Sequence, residues 1–377
     1  MRKICFVATI PAVIHTFLRE HIEAASKKYL VTVICNCTDI YLLDGINARF
    51  KIIPIERKPS PFDDLRTLLY IYKFFRLERF DIVHTHMPKT GLLGMLAAWL
   101  SFVPIRIHTF HGEVWATRSG WRRNVLKLFD QLVVFLSTDI LLVSPSQRDF
   151  LVSEGVLKLN MGKVIGAGSV CGVDHLRFHP DQFCRHEVLE SLGIELNAKV
   201  ILFVGRLNRD KGMLDLAFAF DAVARCHSDA VLLLVGSEED LPFSRIQEIC
   251  CAASDRVHYV QFTSKPERYM AAADIFCLPS YREGFGMTVI EAAACGVPTV
   301  ASRIYGITDA VGDGKTGLLF PVGDVTALTQ TLLKLIEDND LRQQMGNAAC
   351  VRVLELFSSE RITGEMVMLY DSLCEKS

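Results

Sequence analysis

Short apolar runs alternate with longer stretches of helical periodicity along the whole chain of 377 residues. The runs are rich in Val, Ile and Leu, which is typical of parallel strands covered on both faces. Eleven strands are predicted, at residues 3–8, 31–35, 51–55, 81–84, 105–109, 139–143, 200–204, 231–235, 257–261, 274–278 and 299–302. Strands that alternate with helices in this way predict an α/β protein with doubly wound parallel sheets.

A chain of this length is expected to form two domains. Between Val173 and Leu196 the sequence supplies turn residues and no strand, so a boundary is predicted in this interval. We place a Rossmann-like domain at residues 1–185 and a second Rossmann-like domain at residues 186–358. A final helix is predicted at residues 359–377.

A glycine loop follows the strand at 274–278 and leads into a helix that begins near Met287. Glycine at 284 and 286 allows a ligand to approach the backbone, and the helix directs unpaired N–H groups and its positive dipole end at that ligand. The loop therefore predicts an anion site that suits phosphate. Glu283 and Glu291 flank the loop, and carboxylates repel phosphate. Each is therefore expected to face hydroxyl groups, such as those of a sugar and of a ribose.

A second loop, which leaves the strand at 200–204, carries Arg206 and Lys211 between two glycines. α/β proteins bind ligands at the carboxyl ends of their strands, and a departing diphosphate needs cations as charge develops on it. Arg206 suits bidentate contact with phosphate oxygens and Lys211 acts as a point charge. The alternative interpretation is an ordinary solvated basic loop.

The Glu-x7-Glu spacing from Glu283 to Glu291 resembles the donor-sugar motif of the retaining glycosyltransferases of family 4. That family has the GT-B fold, in which two Rossmann-like domains face a cleft. The resemblance implies that residues 1–185 bind the acceptor, that residues 186–358 bind the nucleotide-sugar donor, and that the helix at 359–377 crosses back onto the first domain. Two other segments of the second half are similar to loops of this family, Gly205 to Gly212 and Asp313 to Phe320. Three segments of the first half are similar to the branch of the family that builds bacterial capsules and O-antigens: Val83 to Gly94, Thr109 to Gly112 and Gly168 to Asp174. The resemblance spans nearly the whole chain. The chain departs from the family after the first strand, where the family often has a glycine-rich turn and this sequence has no glycine.

The resemblance implies a role for each candidate residue. Glu283 would hold the transferred sugar near its reacting carbon, and His111 would meet the sugar-diphosphate from the opposite domain, so both are predicted to be catalytic. The predicted donor-binding residues are Arg206, Lys211, Gly284, Phe285, Gly286, Met287, Thr288 and Glu291, the last at the ribose hydroxyls. His84, His86 and Lys89 are expected to line the acceptor side of the cleft.

Neither a metal nor another cofactor is expected. His84 and His86 share one side of an extended segment, but the sequence offers no third ligand at a fitting spacing. No Asp-x-Asp follows a strand, so Arg206, Lys211 and the helix N-terminus are expected to take the place of a cation.

Charge is unevenly distributed along the chain. Residues 1–180 carry 23 Lys and Arg against 15 Asp and Glu, whereas residues 181–377 carry 18 against 28. A basic half suits nucleic acid or an anionic membrane surface. Because no nucleic-acid-binding motif is present, the membrane is favoured. Basic residues interleaved with Trp121 and Phe129 predict an interfacial helix, although a helix packed on its own domain is an alternative.

The compartment is expected to be the cytoplasm, with a peripheral position on the inner face of the cytoplasmic membrane. No stretch reaches the roughly 18 apolar residues of a membrane span. The twelve cysteines lack disulfide or zinc spacing, which indicates a reducing environment.

These observations predict a retaining, metal-independent glycosyltransferase of cell-surface polysaccharide biosynthesis. It would move a sugar from a nucleotide-diphosphate sugar, expected to be UDP-linked and N-acetylated, to a polyprenyl-diphosphate-linked glycan or another saccharide. The alternatives are a GT-B-shaped nucleotide-sugar epimerase and a non-catalytic nucleotide-sugar-binding subunit. A dehydrogenase is disfavoured because no strand leads into Gly-x-Gly-x-x-Gly.

Overall fold

The computed structural model describes residues 1–36, 39–56 and 60–376. The chain divides into two compact units. The first unit comprises Met1–Cys171 and Ser359–Ser377, and the second comprises Gly172–Ser358.

A parallel seven-stranded sheet forms the centre of the first unit. Its strands are β1 (Lys3–Val7), β2 (Leu30–Cys35), β3 (Arg49–Ile52), β4 (Ile82–His86), β5 (Ile105–Phe110), β6 (Asp139–Leu142) and β7 (Lys163–Val164). Their spatial order is β3-β2-β1-β4-β5-β6-β7. The order reverses at β1 and β4, and in open α/β sheets ligands bind beyond the carboxyl ends of the strands at such a point.

Helices cover both faces of this sheet. They are α1 (Pro11–Val13), continued by a π-helical turn (Ile14–Leu18), α2 (Arg19–Ser26), α3 (Pro61–Glu78), α4 (Pro88–Leu100), α5 (Gly120–Leu136) and α6 (Pro145–Ser153). A 3-10 turn (Ile40–Leu43) follows β2. One apolar cluster joins α3, α4 and α5 to the sheet through Phe75, Met95 and Val133, and a separate cluster holds Phe6 and Ile22.

The second unit contains a parallel six-stranded sheet. Its strands are β8 (Lys199–Val204), β9 (Ala230–Val235), β10 (Val257–Val260), β11 (Ile275–Leu278), β12 (Thr299–Ser302) and β13 (Gly317–Phe320). Their order is β10-β9-β8-β11-β12-β13, which places the loops after β8, β9 and β11 at one edge.

The helices of the second unit include the one that follows the glycine loop. They are α7 (Gln182–Ser191), α8 (Met213–Cys226), α9 (Phe243–Ile249), α10 (Pro266–Ala271), α11 (Met287–Ala294), α12 (Ile307–Ala310), α13 (Val325–Glu337) and α14 (Asn339–Leu356), with 3-10 segments at Arg209–Lys211 and Cys251–Arg256. The last helix, α15 (Ser359–Lys376), belongs to the first unit, where Met366 and Tyr370 enter the cluster of Phe6.

All eleven predicted strands are present within one to three residues of their predicted ends, and the predicted α/β class is confirmed. Two strands were missed. β7 has only two residues, too few for a periodic signal. β13 has only four residues and directly follows the turn at Asp313, whose carboxylate accepts the backbone N–H of Leu319 at 2.9 Å.

The two units divide at 171/172, whereas the sequence placed the boundary at 185/186. Residues 172–185 lie in the second unit because α7 packs there. Cys184 and Val188 cluster with Ala272, and the guanidinium of Arg185 pairs with Asp274 at 3.1 Å. Turn residues in the sequence indicate an interruption, but they do not indicate which sheet the following helix covers.

The described cysteines are all free thiols, and Cys37 of the predicted set lies outside the described residues. In the described part of the chain, every helix is too short or too polar to span a bilayer.

Candidate active site

A partly buried ion pair joins the two loops that follow β8 and β11 in the second unit. The ammonium of Lys211 contacts the carboxylate of Glu283, and the hydroxyl of Ser280 donates to the same carboxylate oxygen at 2.9 Å. Asn208 fixes the backbone of Lys211, whose N–H donates to the Asn208 side chain at 2.9 Å. Strands β8 and β11 are neighbours, which explains why residues 72 positions apart meet. The result is a carboxylate held in one orientation beside a cation.

The other loop cation, Arg206, is paired with Glu239, which is not among the predicted site residues. Its guanidinium lies 2.5 and 2.6 Å from the two carboxylate oxygens of Glu239, and the amide of Asn208 donates to Glu239 at 2.6 Å. The pair is solvent-exposed, so it is worth only about 0.2–1 kcal/mol. A diphosphate could displace Glu239 at little cost. Glu239 follows β9, which lies beside β8 in the sheet, so strand order brings it to Arg206.

The glycine loop has the backbone geometry that the sequence predicts. Helix α11 begins at Met287, and Gly286 adopts φ +85° immediately before it. A Cβ at Gly306 would lie 2.5 Å from the carbonyl oxygen of Gly284, so these two backbone segments are in close contact. Phe285 is buried against Phe357, with ring centroids 5.3 Å apart. Only the backbone of Phe285 is therefore available to a ligand.

Glu291, the residue predicted to bind the ribose, is half-buried and lies about one turn after the start of α11. Burial raises the pKa of Glu291 to about 7, an effect that nearby Arg177 opposes and Glu267 reinforces. Arg177 itself pairs with Glu267 at 2.8 Å. The carboxyl of Glu291 consequently changes protonation state near neutral pH.

Three of the four candidate residues in the first unit are histidines of neighbouring strands. His84 lies in the middle of β4, His86 is the last residue of β4, and His111 follows the end of β5. His86 Nδ1 lies 2.9 Å from His111 Nε2. His84 Nδ1 lies 2.8 Å from the Tyr370 hydroxyl, and His84 Nε2 lies 2.7 Å from that of Thr109. Burial is the largest cause that lowers the pKa of each imidazole, that of His111 to about 4. All three rings are therefore neutral at pH 7.

The expectation that His84 and His86 line an acceptor surface needs correction, because the structure places both in the interior. Their exposed fractions are 1% and 2%, respectively. His84 contacts Tyr370 of α15, which is itself fully buried. Lys89, at the start of α4, pairs with Asp64 of α3 at 2.5 Å. No cluster of three metal-ligating side chains occurs within residues 1–36, 39–56 and 60–376.

Sequence models of two families match the chain, one in each half. "Glycosyltransferase Family 4" matches residues 14–158, and "Glycosyl transferases group 1" matches residues 185–352. The chain is also 30% identical over 378 residues to the capsular polysaccharide biosynthesis glycosyltransferase CapM of Staphylococcus aureus, covering 100% of this chain and 98% of that protein. The chain is a family 4 glycosyltransferase.

A further relative agrees with this assignment. The glycosyltransferase is 28% identical over 355 residues to UDP-Gal:alpha-D-GlcNAc-diphosphoundecaprenol alpha-1,3-galactosyltransferase of Escherichia coli, covering 90% of this chain and 89% of that protein.

Solved structures establish the predicted GT-B fold. Sucrose-phosphate synthase of Thermosynechococcus elongatus aligns over 100% of both chains with a TM-score of 0.84 and 22% identity. HepE of Anabaena, crystallised with UDP and glucose, aligns over 99% of this chain and 100% of its own with a TM-score of 0.82 and 18% identity.

The structure brings some predicted residues together and leaves others apart. Lys211 and Glu283 form one pair, and His86 and His111 form another. Arg206 is held by Glu239 instead of Glu283. Asn208 and Ser280 form hydrogen bonds that orient these side chains. Neither residue is among the predicted site residues, although both lie in the two loops that the glycines indicate.

Proposed function

We propose that this glycosyltransferase moves a sugar from a UDP-linked donor, with an N-acetylated sugar favoured, to a polyprenyl-diphosphate-linked glycan in capsule-type polysaccharide biosynthesis, with retention of configuration. The observation that carries the proposal is the Lys211–Glu283 pair, which presents a cation and an oriented carboxylate at the end of β11. The names of two relatives support the donor and acceptor classes, since one is a capsular polysaccharide enzyme and the other uses UDP-Gal and a diphosphoundecaprenol-linked sugar.

The leaving diphosphate needs positive charge as its bond to the sugar breaks. Arg206, Lys211 and the N-terminus of α11 supply that charge in this proposal, so transfer does not depend on a metal ion. Arg206 exchanges its exposed partner Glu239 for phosphate oxygens, an exchange of one charge-assisted hydrogen-bond set for another.

The remaining groups orient the donor. Glu283, fixed by Lys211 and Ser280, accepts hydrogen bonds from hydroxyls of the transferred sugar, and Glu291 does the same for the ribose. His111 contacts the sugar-diphosphate. We propose a same-face displacement, in which the acceptor hydroxyl attacks from the leaving-group side and the departing phosphate takes its proton.

The test is to incubate the protein with a panel of nucleotide sugars, with and without a polyprenyl-diphosphate glycan, and to determine the anomeric configuration of the product by NMR. We expect acceptor-dependent transfer with retention of configuration. Glu283→Gln should lose this activity, and Glu190→Gln, which changes an exposed carboxylate of α7, should keep it. An inverted product refutes retention. Conversion of the donor without acceptor would identify an epimerase, and donor binding without turnover a non-catalytic subunit.

We further propose that the outward side of α5 lies on an anionic membrane surface. Trp121, Leu128 and Phe135 are spaced by seven residues, so they share one side of the helix, and they are 70%, 60% and 75% exposed. Throughout α5, all of which the structure describes, the one carboxylate is Asp130, and it is buried. An apolar stripe without exposed negative charge suits a bilayer with anionic lipids.

The structure reduces the number of cations that are available for this contact. Arg123 and Lys127 both pair with Glu154, at 2.7 and 3.0 Å, which leaves Arg118 and Arg122 as the exposed cations. Each of these adds about 1 kcal/mol near an anionic surface. Each large apolar side chain adds about 1.5–3 kcal/mol when fully buried. Apolar insertion is therefore the larger contribution.

Vesicle flotation with phosphatidylglycerol-containing liposomes tests this surface. Replacing Trp121, Leu128 and Phe135 together by Ser is expected to abolish flotation, whereas Arg118→Gln with Arg122→Gln weakens it and makes it less salt-dependent. Phe183→Ser is the matched control, since Phe183 is 86% exposed on α7 of the second unit. Flotation of the triple variant at the wild-type level would remove the proposal.

A further inference from the structure

His86 and His111 are brought together by the pairing of two parallel strands. His86 is the last residue of β4 and lies opposite Thr109 of β5, so His111 follows just beyond the end of the pairing. The distance of 2.9 Å between His86 Nδ1 and His111 Nε2 is that of a hydrogen bond. Such a bond needs an N–H on one ring and a lone pair on the other.

The ring of His86 is fixed by its surroundings. Phe6 stacks on it at 6.3 Å between centroids, and His84 lies at 4.2 Å. His84 is itself anchored through both ring nitrogens, to Tyr370 and Thr109. Among the described residues His86 Nε2 has no hydrogen-bonding partner, and the ring is only 2% exposed.

The missing partner at His86 Nε2 distinguishes the two arrangements of protons. If His111 donated, the neutral His86 ring would carry its hydrogen on Nε2, as a buried N–H without an acceptor. If His86 donates from Nδ1, Nε2 holds only an unused lone pair. Buried N–H groups without partners are rarer and costlier than under-used acceptors. The second arrangement is therefore the stable one.

We propose that His86 is a positioning residue: it donates from Nδ1 to His111 and thereby holds His111 in the tautomer that carries its hydrogen on Nδ1. His111 then offers substrate an N–H donor instead of a basic lone pair. A donor suits an oxygen of the sugar-diphosphate, which gains negative charge as the bond to the sugar breaks. This inference rests on the role proposed above for His111.

The tautomer is measurable without any assay of activity. In protein labelled with 15N in histidine, ring correlation spectra report which nitrogen of each ring carries hydrogen, and His111→Gln identifies the signals of His111. We expect His111 with a protonated Nδ1 and a bare Nε2 in the wild type and in His86→Asn, whose amide N–H occupies the place of the histidine Nδ1–H. His86→Phe removes the donor and should give a mixture. A wild-type His111 protonated on Nε2 overturns the inference.

Kinetics give a second readout. His86→Phe should lower kcat about 10-fold, the effect of losing one hydrogen bond, with little change in the KM for donor, and His86→Asn should restore most of it. His108→Asn is the control, because His108 is equally buried and bonds Thr85 at 2.8 Å. It should lower the melting temperature without lowering kcat.

The two proposals can fail separately. If His111→Ala keeps wild-type turnover, the proposed role of His111 is wrong whatever its tautomer. If His111→Ala is inactive and a folded His86→Phe protein turns over at the wild-type rate, only the positioning role of His86 is refuted.

Discussion

Glu291→Gln is expected to make the protein more stable at alkaline pH while weakening its binding of donor. An ordinary glutamate has a pKa of 4.5, and burial raises the pKa of Glu291 to about 7. Between these values the unfolded chain is ionised at this position and the folded chain is protonated, so folding takes up a proton. The free energy of unfolding consequently falls as pH rises from 4.5 to 7.

The size of the effect follows from the two pKa values. Each pKa unit corresponds to about 1.4 kcal/mol, so ionised Glu291 costs the folded state about 3 kcal/mol above pH 7. Glutamine is neutral throughout and does not carry this cost. The stability advantage of Glu291→Gln should therefore grow from near zero at pH 4.5 to about 3 kcal/mol at pH 8.5.

The assay is urea denaturation of the wild type and of Glu291→Gln at several pH values between 4.5 and 8.5, with UDP binding measured by calorimetry in parallel. Glu190→Gln, an exposed carboxylate of α7, serves as the control and should follow the wild type at every pH. A difference between Glu291→Gln and the wild type that does not change with pH would refute the reasoning. Wild-type affinity of the variant for UDP would refute the ribose contact.

Three further outcomes are expected. Lys211→Ala should lower kcat at saturating donor by about 100-fold with the fold intact, and unchanged turnover would show that the diphosphate assignment is wrong. EDTA should leave transfer unchanged, and a complete loss restored by Mg²⁺ or Mn²⁺ would contradict metal-independent transfer. Gly306→Ala places a Cβ 2.5 Å from the Gly284 carbonyl oxygen and should weaken UDP binding in calorimetry. Gly314→Ala is its control, with a similar φ (+73° against +82°) and open space around it; equal UDP affinities of the two variants would count against a phosphate-binding loop.

Features of the donor side that depend on local sequence were predictable. The apolar runs located the strands, the glycines at 284 and 286 located the loop, and the helix begins at Met287 as expected. The side chain of Phe285 shows the limit of such signals. The motif included it among donor-binding residues, yet its ring packs on Phe357, 72 positions away in the sequence.

The two-sheet α/β class, the family and the loops that carry Arg206, Lys211 and Glu283 could all be predicted from the sequence, because periodicity and loop chemistry are properties of neighbouring residues. Tertiary structure sets which charges pair, since strand order brings Glu239 to Arg206 and Glu283 to Lys211. It also decided that His84 is an interior residue. Tyr370, 286 positions away on the last helix, covers that histidine, and no local pattern encodes a contact across such a separation.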